Sequence, residues 1–323
     1  MDRHDENVPD YFDLPTVGDT GERSAWGVFG ADDNFGCLNF LTEERVAAAA
    51  RLVRTGRSFG LDLPLGEPQP QFWAMRPSLQ HSVRVHRHGR DDHLNSFYMQ
   101  GSTQWDGLRH VRFRKYGYYG GVDEAQLDTS DAIGIDHWAQ RGIIGRGVLV
   151  DVANYLASLG RPIDPTHTLE IDVALIEATL AHQGVRREAG DILLVRSGWL
   201  AWYTRLSAEQ RQAIVTNYEA DRSSFHAPGV DPTLKTVAWL WNSRTAAVAI
   251  DTPTFEVLPF DPDRGWAHHR MLALLGLPLG ELWWLEDLSR HCREVAQYDF
   301  FLTSSPLRLP KGVGTPANAH AIF

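Results

Sequence analysis

Two rhythms of apolar and polar residues run along this chain. From Thr42, the stretch TEERVAAAARLVRTG carries an N-cap residue, acids in its first turn, basic residues near its end and Gly56 as terminator, which predicts a helix over 42–56. Strands are predicted at 58–65, at 80–86 where Val83 and Val85 alternate with polar neighbours, and at 95–100. Short apolar runs bounded by Gly, Pro or Asp at 145–152, 190–199 and 245–253 have the character of buried strands. Helices separate them: 171–184 stops at Gly184, 207–222 opens on a Ser207 to Gln210 capping box, and 231–243 opens on Asp231 as cap with Pro232 at the first position. A last helix is predicted through His268 and His269 to a stop at Gly276. Early strands in a cluster, followed by strands alternating with helices, indicate an α+β, mixed α/β architecture rather than a doubly wound nucleotide fold. Neither GxGxxG nor GxxxxGK[ST] occurs.

The first 25 residues are polar and broken by Pro and Gly, so 1–25 is expected to be an N-terminal arm that packs on a partner subunit, with 26–323 as one domain. At 323 residues, 43% hydrophobic and 22% charged, the chain has ample material for a packed core. A net charge of -10 without any long basic run excludes a phosphate-backbone surface, so no nucleic acid partner is expected. The acidic start lacks the pattern of a secretory signal, and no stretch approaches the roughly 20 apolar residues of a membrane span, which predicts a cytoplasmic protein without a membrane partner. With only Cys37 and Cys292, any metal must be held by N and O ligands.

Two clusters carry candidate chemistry. Gln100, Gln104, Asp106 and His110 fall within eleven residues, and on an extended segment their equal parity points them to one face. Amide and carboxylate oxygens with an imidazole suit a divalent cation, or let His110 carry a proton beside one; the same pattern also describes a polar strand edge. The second cluster is His268, His269 and Glu281, where a His pair at a helix start is followed by an acid beyond the turn; capping and a solvated charge would account for it equally. His86, His88 and His93 are expected on a solvated loop, and Arg196 is expected to pair with a carboxylate near the sheet end.

Together the clusters resemble the metal-dependent cyclase or kynurenine formamidase-like hydrolase superfamily, whose signature reads H-x-G-T-H-x-D-x-P-x-H. Here the segment reads Q-G-S-T-Q-W-D-G-L-R-H: Thr103, Asp106 and His110 keep their places, Gln100 and Gln104 stand for the two metal-binding His, Ser102 for Gly and Leu108 for Pro. GCLNFLT near 36, GIIGRGVLVD, GDILLVRSGW, AVAIDTP and the closing PLRLPKGVGTPANAHAI extend the resemblance over most of the chain. Gln100-x-x-x-Gln104-x-Asp106 is similar to the branch that includes trans-dienelactone hydrolase.

The resemblance implies a cyclase-like swivelling β/β/α fold with a central mixed sheet flanked by helices. It implies one divalent metal, Zn²⁺ or Mn²⁺, held by Asp106, His269 and Glu281 with Gln104 as a weaker ligand and Gln100 the least secure, because amide oxygens are poorer zinc donors than imidazole. His110 is the implied proton carrier. The implied activity is hydrolysis of a small cyclic ester (a lactone) or related carbonyl; a C–N hydrolase of the arylformamidase, isatin or cyclic imide type is the alternative, and an inactive ligand-binding protein on the same fold a second one. Trp105, Phe97, Trp73, Tyr118, His226 and Trp266 are candidates for the pocket wall. A homodimer or homotetramer is expected.

Overall fold

The computed structural model describes residues 8–73 and 75–323. Its strands in chain order are β1 (Ser58–Gly60), β2 (Gln80–His86), β3 (Gly89–Asn95), β4 (Gln104–Asp106), β5 (Ile143–Val150), β6 (Glu170–Ile171), β7 (Ile192–Val195), β8 (Gly229–Val230), β9 (Ala247–Ile250), β10 (Leu279–Glu281), β11 (Asp299–Ser304), β12 (Gly314–Pro316) and β13 (Ala319–Ile322). Nine of them form one mixed sheet in the order β1-β13-β11-β5-β7-β9-β10-β4-β12. Its centre is parallel, from β5 through β7 and β9 to β10, and both wings are antiparallel.

The parallel strands are apolar runs because both of their faces are covered. Val148, Leu149, Ile192, Leu194, Ala247 and Ile250 are all buried, and the helices Val173–Gln183 and Leu234–Asn242 belong to the same core. Local signals fix the helix ends. Thr42 accepts the Arg45 N–H ahead of Glu43–Ala50, Gly184 closes Val173–Gln183 in the left-handed conformation, and the Ser207–Gln210 capping box opens Ala208–Ala220.

Three predicted elements differ. The helix placed at 231–243 begins at Leu234, because Asp231 spends its carboxylate on Thr233, Thr236 and Arg264 instead of capping at its own position. The strand placed at 95–100 is absent: Ser96 has φ 55°, which no strand tolerates, and the chain passes through a 3₁₀ turn at Met99–Gly101. The last helix is a π-helical turn, His268–Leu274.

The described part of the lead-in, 8–25, lies on this chain's own body. Tyr11 and Leu14 are buried, Tyr11 N–H donates to Asn242, and the Trp241 indole donates to the Pro9 carbonyl; residues 1–7 of the expected arm lie outside the described residues. The stretch with His86, His88 and His93 is an exposed two-stranded ribbon, β2 against β3. Among the described residues no helix is long and apolar enough to cross a membrane.

Candidate metal centre

The site is built where β4 is held between β10 and β12. Antiparallel register sets Glu281 opposite Gln104 and Leu279 opposite Asp106. A strand's period of two then sends Gln104, Asp106 and Glu281 to one face and Trp105 and Gly280 to the other. On that other face Trp105 is wholly buried, edge-on to Trp283, and its indole donates to Ser304. A side chain at Gly280 would meet the Trp283 indole nitrogen at 2.5 Å and the Ala249 Cβ at 2.6 Å, so the bare backbone there lets the sheet close.

Onto the polar face the π-helical turn delivers His268. Its Nε2 lies 3.5 Å from Asp106 Oδ2 and 3.5 Å from Glu281 Oε1, and His110 Nε2 lies 3.5 Å from Asp106 Oδ1. These separations are too long for good hydrogen bonds and match the edge, about 3.4 Å, of a tetrahedron with roughly 2.1 Å metal–ligand bonds. Asp106 is fully buried, yet neither of its oxygens has a hydrogen-bond donor, and Gln104 Oε1 is also buried and unpartnered. Gln104 Nε2 meanwhile donates to Glu281 Oε2 at 2.8 Å, and Phe255 N–H donates to Glu281 Oε1. Buried acceptors left without donors are what a bound cation would satisfy. Two overlapping groups can ligate: Asp106, His110 and His268, and Glu256, His268 and Glu281.

Electrostatics agree. Burial pushes the Glu281 carboxyl up to about 8, with the neighbouring Asp106 and Glu256 charges adding to it. Burial acts the same way on Asp106 but is outweighed by His110, His268 and Arg76, which hold it below the usual carboxylate range. A divalent ion beside Glu281 would offset this effect and favour the ionised carboxylate. Burial lowers His110, leaving it a neutral base at neutral pH. His268 is driven well above its ordinary value, Glu256 being the largest contributor against the opposing effect of burial.

It is His268, not the expected ligand His269, that the structure places beside Asp106 and Glu281. The His269 ring packs edge-on against Phe113 and Trp266 at centroid distances of 5.6 and 4.5 Å, and burial followed by the His268 charge lowers it to about 4. A π-helical turn winds about one residue more per turn than an α-helix, which moves the inward position from the place α-helical spacing would give it. Gln104, Asp106, His110 and Glu281 come together as expected. Gln100 stands on the adjoining 3₁₀ turn, its Nε2 buried without a partner and its carbonyl taken by Arg76.

Of the expected wall, Trp266 stands beside the cluster, its ring 5.4 Å from that of His268. Trp105 is excluded, because strand alternation turns it into the core. Phe97 lines a small cavity with Gln71, Gly101 and Ser102, Trp73 packs on Phe72 and Tyr218, and Tyr118 donates to Glu124. His226 is exposed and bonds Thr168. Arg196 pairs with Asp151 and Glu286 near the sheet end, as expected. Two residues were not anticipated: Arg76, half-buried and drawing on Asp106 and Glu281, and Glu256, which accepts from the His268 ring. For Glu256 a signal existed, since a lone acid flanked by Phe255, Val257 and Leu258 is out of place in an apolar run.

Residues 59–257 match the Cyclase family, described as "Putative cyclase". A crystal structure described as a novel cyclase is 32% identical, with a TM-score of 0.80 over 93% of this chain and 99% of that one. Isatin hydrolase A from Labrenzia aggregata, bound to benzyl benzoate, is 16% identical with a TM-score of 0.57 over 88% of this chain and 98% of that one. A predicted metal-dependent hydrolase from Bacillus stearothermophilus is 14% identical with a TM-score of 0.50, over 83% and 98%. A comparison with the curated proteins gave no match.

Proposed function

The chain belongs to the cyclase family, and from that premise we propose that it is a metal-dependent hydrolase that opens a small cyclic ester. One observation carries the metal: Asp106, buried with both oxygens orphaned, sits 3.5 Å from the open ring nitrogen of His268, which is itself 3.5 Å from Glu281. Asp106 and Glu281, each 3.5 Å from His268 Nε2, would hold the cation with that nitrogen, and Gln104 Oε1 is a further buried acceptor without a donor. Such an oxygen-rich set suits Mn²⁺ as readily as Zn²⁺. When bound, a divalent ion supplies Lewis acidity and lowers the pKa of water in its shell.

The chain's own residues do the rest. His110 is the least buried of the group, neutral at neutral pH, and tethered by its place beside Asp106. It accepts a proton from the attacking water at Nε2 and returns it to the leaving oxygen. Trp266 flanks the His268 ring and offers an aromatic face to a small planar substrate. The ester preference rests on the Gln100 and Gln104 pattern. Solved structures named isatin hydrolase share the fold, so cyclic amides belong in the same trial.

The test is a panel of lactones, arylformamides and cyclic imides, assayed with chelated and with Zn²⁺- or Mn²⁺-loaded protein. Lactone turnover that requires the metal is expected. His110→Ala should abolish turnover and leave the bound metal unchanged. Metal lost from that variant would make His110 a ligand, and turnover that survives chelation would sink the reading.

A further inference from the structure

Glu256 lies in the loop that follows β9 and is 3% exposed, and among the described residues no Lys or Arg forms an ion pair with it. One oxygen makes its side-chain contacts: Oε1 accepts from the His268 ring at Nδ1, 2.7 Å, and from the His268 backbone N–H, 3.1 Å. A carboxylate buried for the sake of one histidine calls for a reason.

We propose that Glu256 is the positioning residue for His268, taking its Nδ1–H so that the Nε2 lone pair is aimed between Asp106 and Glu281. The proposal rests on the metal-dependent reading above and adds to it a residue outside the ligand set. An imidazole exists as two tautomers, and only the one with hydrogen on Nδ1 leaves Nε2 free to ligate. The second bond, from the His268 backbone, sets the carboxylate against both ends of the residue and so fixes the ring's rotation as well as its tautomer. Glu256 touches the edge of the ring opposite the one that faces Asp106 and Glu281.

The backbone that carries this carboxylate is itself anchored. Glu256 bridges to Val230, its carbonyl accepts the Thr254 hydroxyl at 2.9 Å, and β8 presses on it through Gly229. A Cβ at Gly229 would lie 2.3 Å from the Glu256 carbonyl carbon, so the backbone there passes as close as two chains can. A chain of contacts thus runs from Gly229 through Glu256 and His268 to the cluster.

Metal binding by the full chain tests this without any substrate. Stripped wild type, Glu256→Gln and Glu256→Ala are titrated with Zn²⁺ against a chelating dye, and Co²⁺ absorption is recorded for each. Glu256→Ala should weaken Zn²⁺ binding by about 10–100-fold at unchanged stoichiometry and Co²⁺ band position, as loss of an outer-sphere carboxylate does. Glu256→Gln, whose amide oxygen still accepts N–H, should lose less. That partial rescue separates positioning from mere packing, and as the isosteric change it carries the test if the alanine variant fails to fold. Wild-type affinity in both variants overturns the proposal. So does loss of one of two ions with a shifted Co²⁺ spectrum, which would make Glu256 a ligand. Wild type that binds neither Zn²⁺ nor Mn²⁺ would instead bring down the metal reading, and the inference with it.

Discussion

Two adjacent histidines with opposite assignments give the sharpest experiment. A cation at a thousandfold excess over its dissociation constant stabilises the folded state by about 4 kcal/mol. Unfolding entropy of about 2.1 cal/mol/K per residue amounts to roughly 0.7 kcal/mol/K over 323 residues. Metal should therefore raise the thermal midpoint of the wild type by about 6 °C. His268→Ala removes the nitrogen that faces both Asp106 and Glu281. If affinity falls by the same thousandfold, only about 0.4 kcal/mol remains, under about 1 °C. His269→Ala removes two edge-on ring contacts, with Phe113 and Trp266, at about 0.5–1.5 kcal/mol each. It should lower the apo and loaded midpoints together by about 2–4 °C and leave the increment intact. The assay is differential scanning fluorimetry of stripped protein with and without Zn²⁺ or Mn²⁺. An increment that vanishes in His269→Ala and persists in His268→Ala would refute the assignment.

Further outcomes follow from the same geometry. Gly280→Ala should cost about 1–3 kcal/mol by overpacking against Trp283 and Ala249, a fall of roughly 2–4 °C in midpoint, and should weaken metal binding because β10 carries Glu281. Asp251 is fully buried, and burial raises its carboxyl to about 6 despite N–H donors from Ser197 and Gly198. Its folded form holds the proton more tightly than the unfolded chain, so that stabilisation is complete below pH about 4 and is lost as pH rises to about 6. Asp251→Asn should accordingly gain in stability relative to wild type across that window, measured as the difference in urea midpoint; a pH-independent difference would contradict the cause given. Chelation should lower the wild-type midpoint at neutral pH and leave that of His268→Ala nearly unmoved, which calorimetry can check.

Much of this was legible because it is local. The apolar runs became β5, β7 and β9, and the caps at Thr42, Ser207 and Gly184 hold because each depends on residues within one turn. Asp106, Gln104 and Glu281 were legible too, the first two through strand parity. What failed needed information from elsewhere in the fold. Gln100 shares parity with Asp106, but the 3₁₀ turn at Met99–Gly101 ends the extended run that parity assumes, whereas His110 reaches Asp106 from the other side of β4. His269 lost its place to His268 because a π-helical turn leaves no periodic mark in seven residues. Glu256 belongs to no periodic element, and its partner is twelve residues away across a loop.

β4 bonds on one side to β10 and on the other to β12, and both come late. About 170 residues separate Asp106 from Leu279, which at 5–20 residues per second is roughly 9–35 s of synthesis. Throughout that interval Gln104 and Asp106 have been made while Glu281 has not. Ribosome-bound chains stalled before Leu279 should therefore hold no cation at this site, because the strand that brings Glu281 to Gln104 has not yet been made.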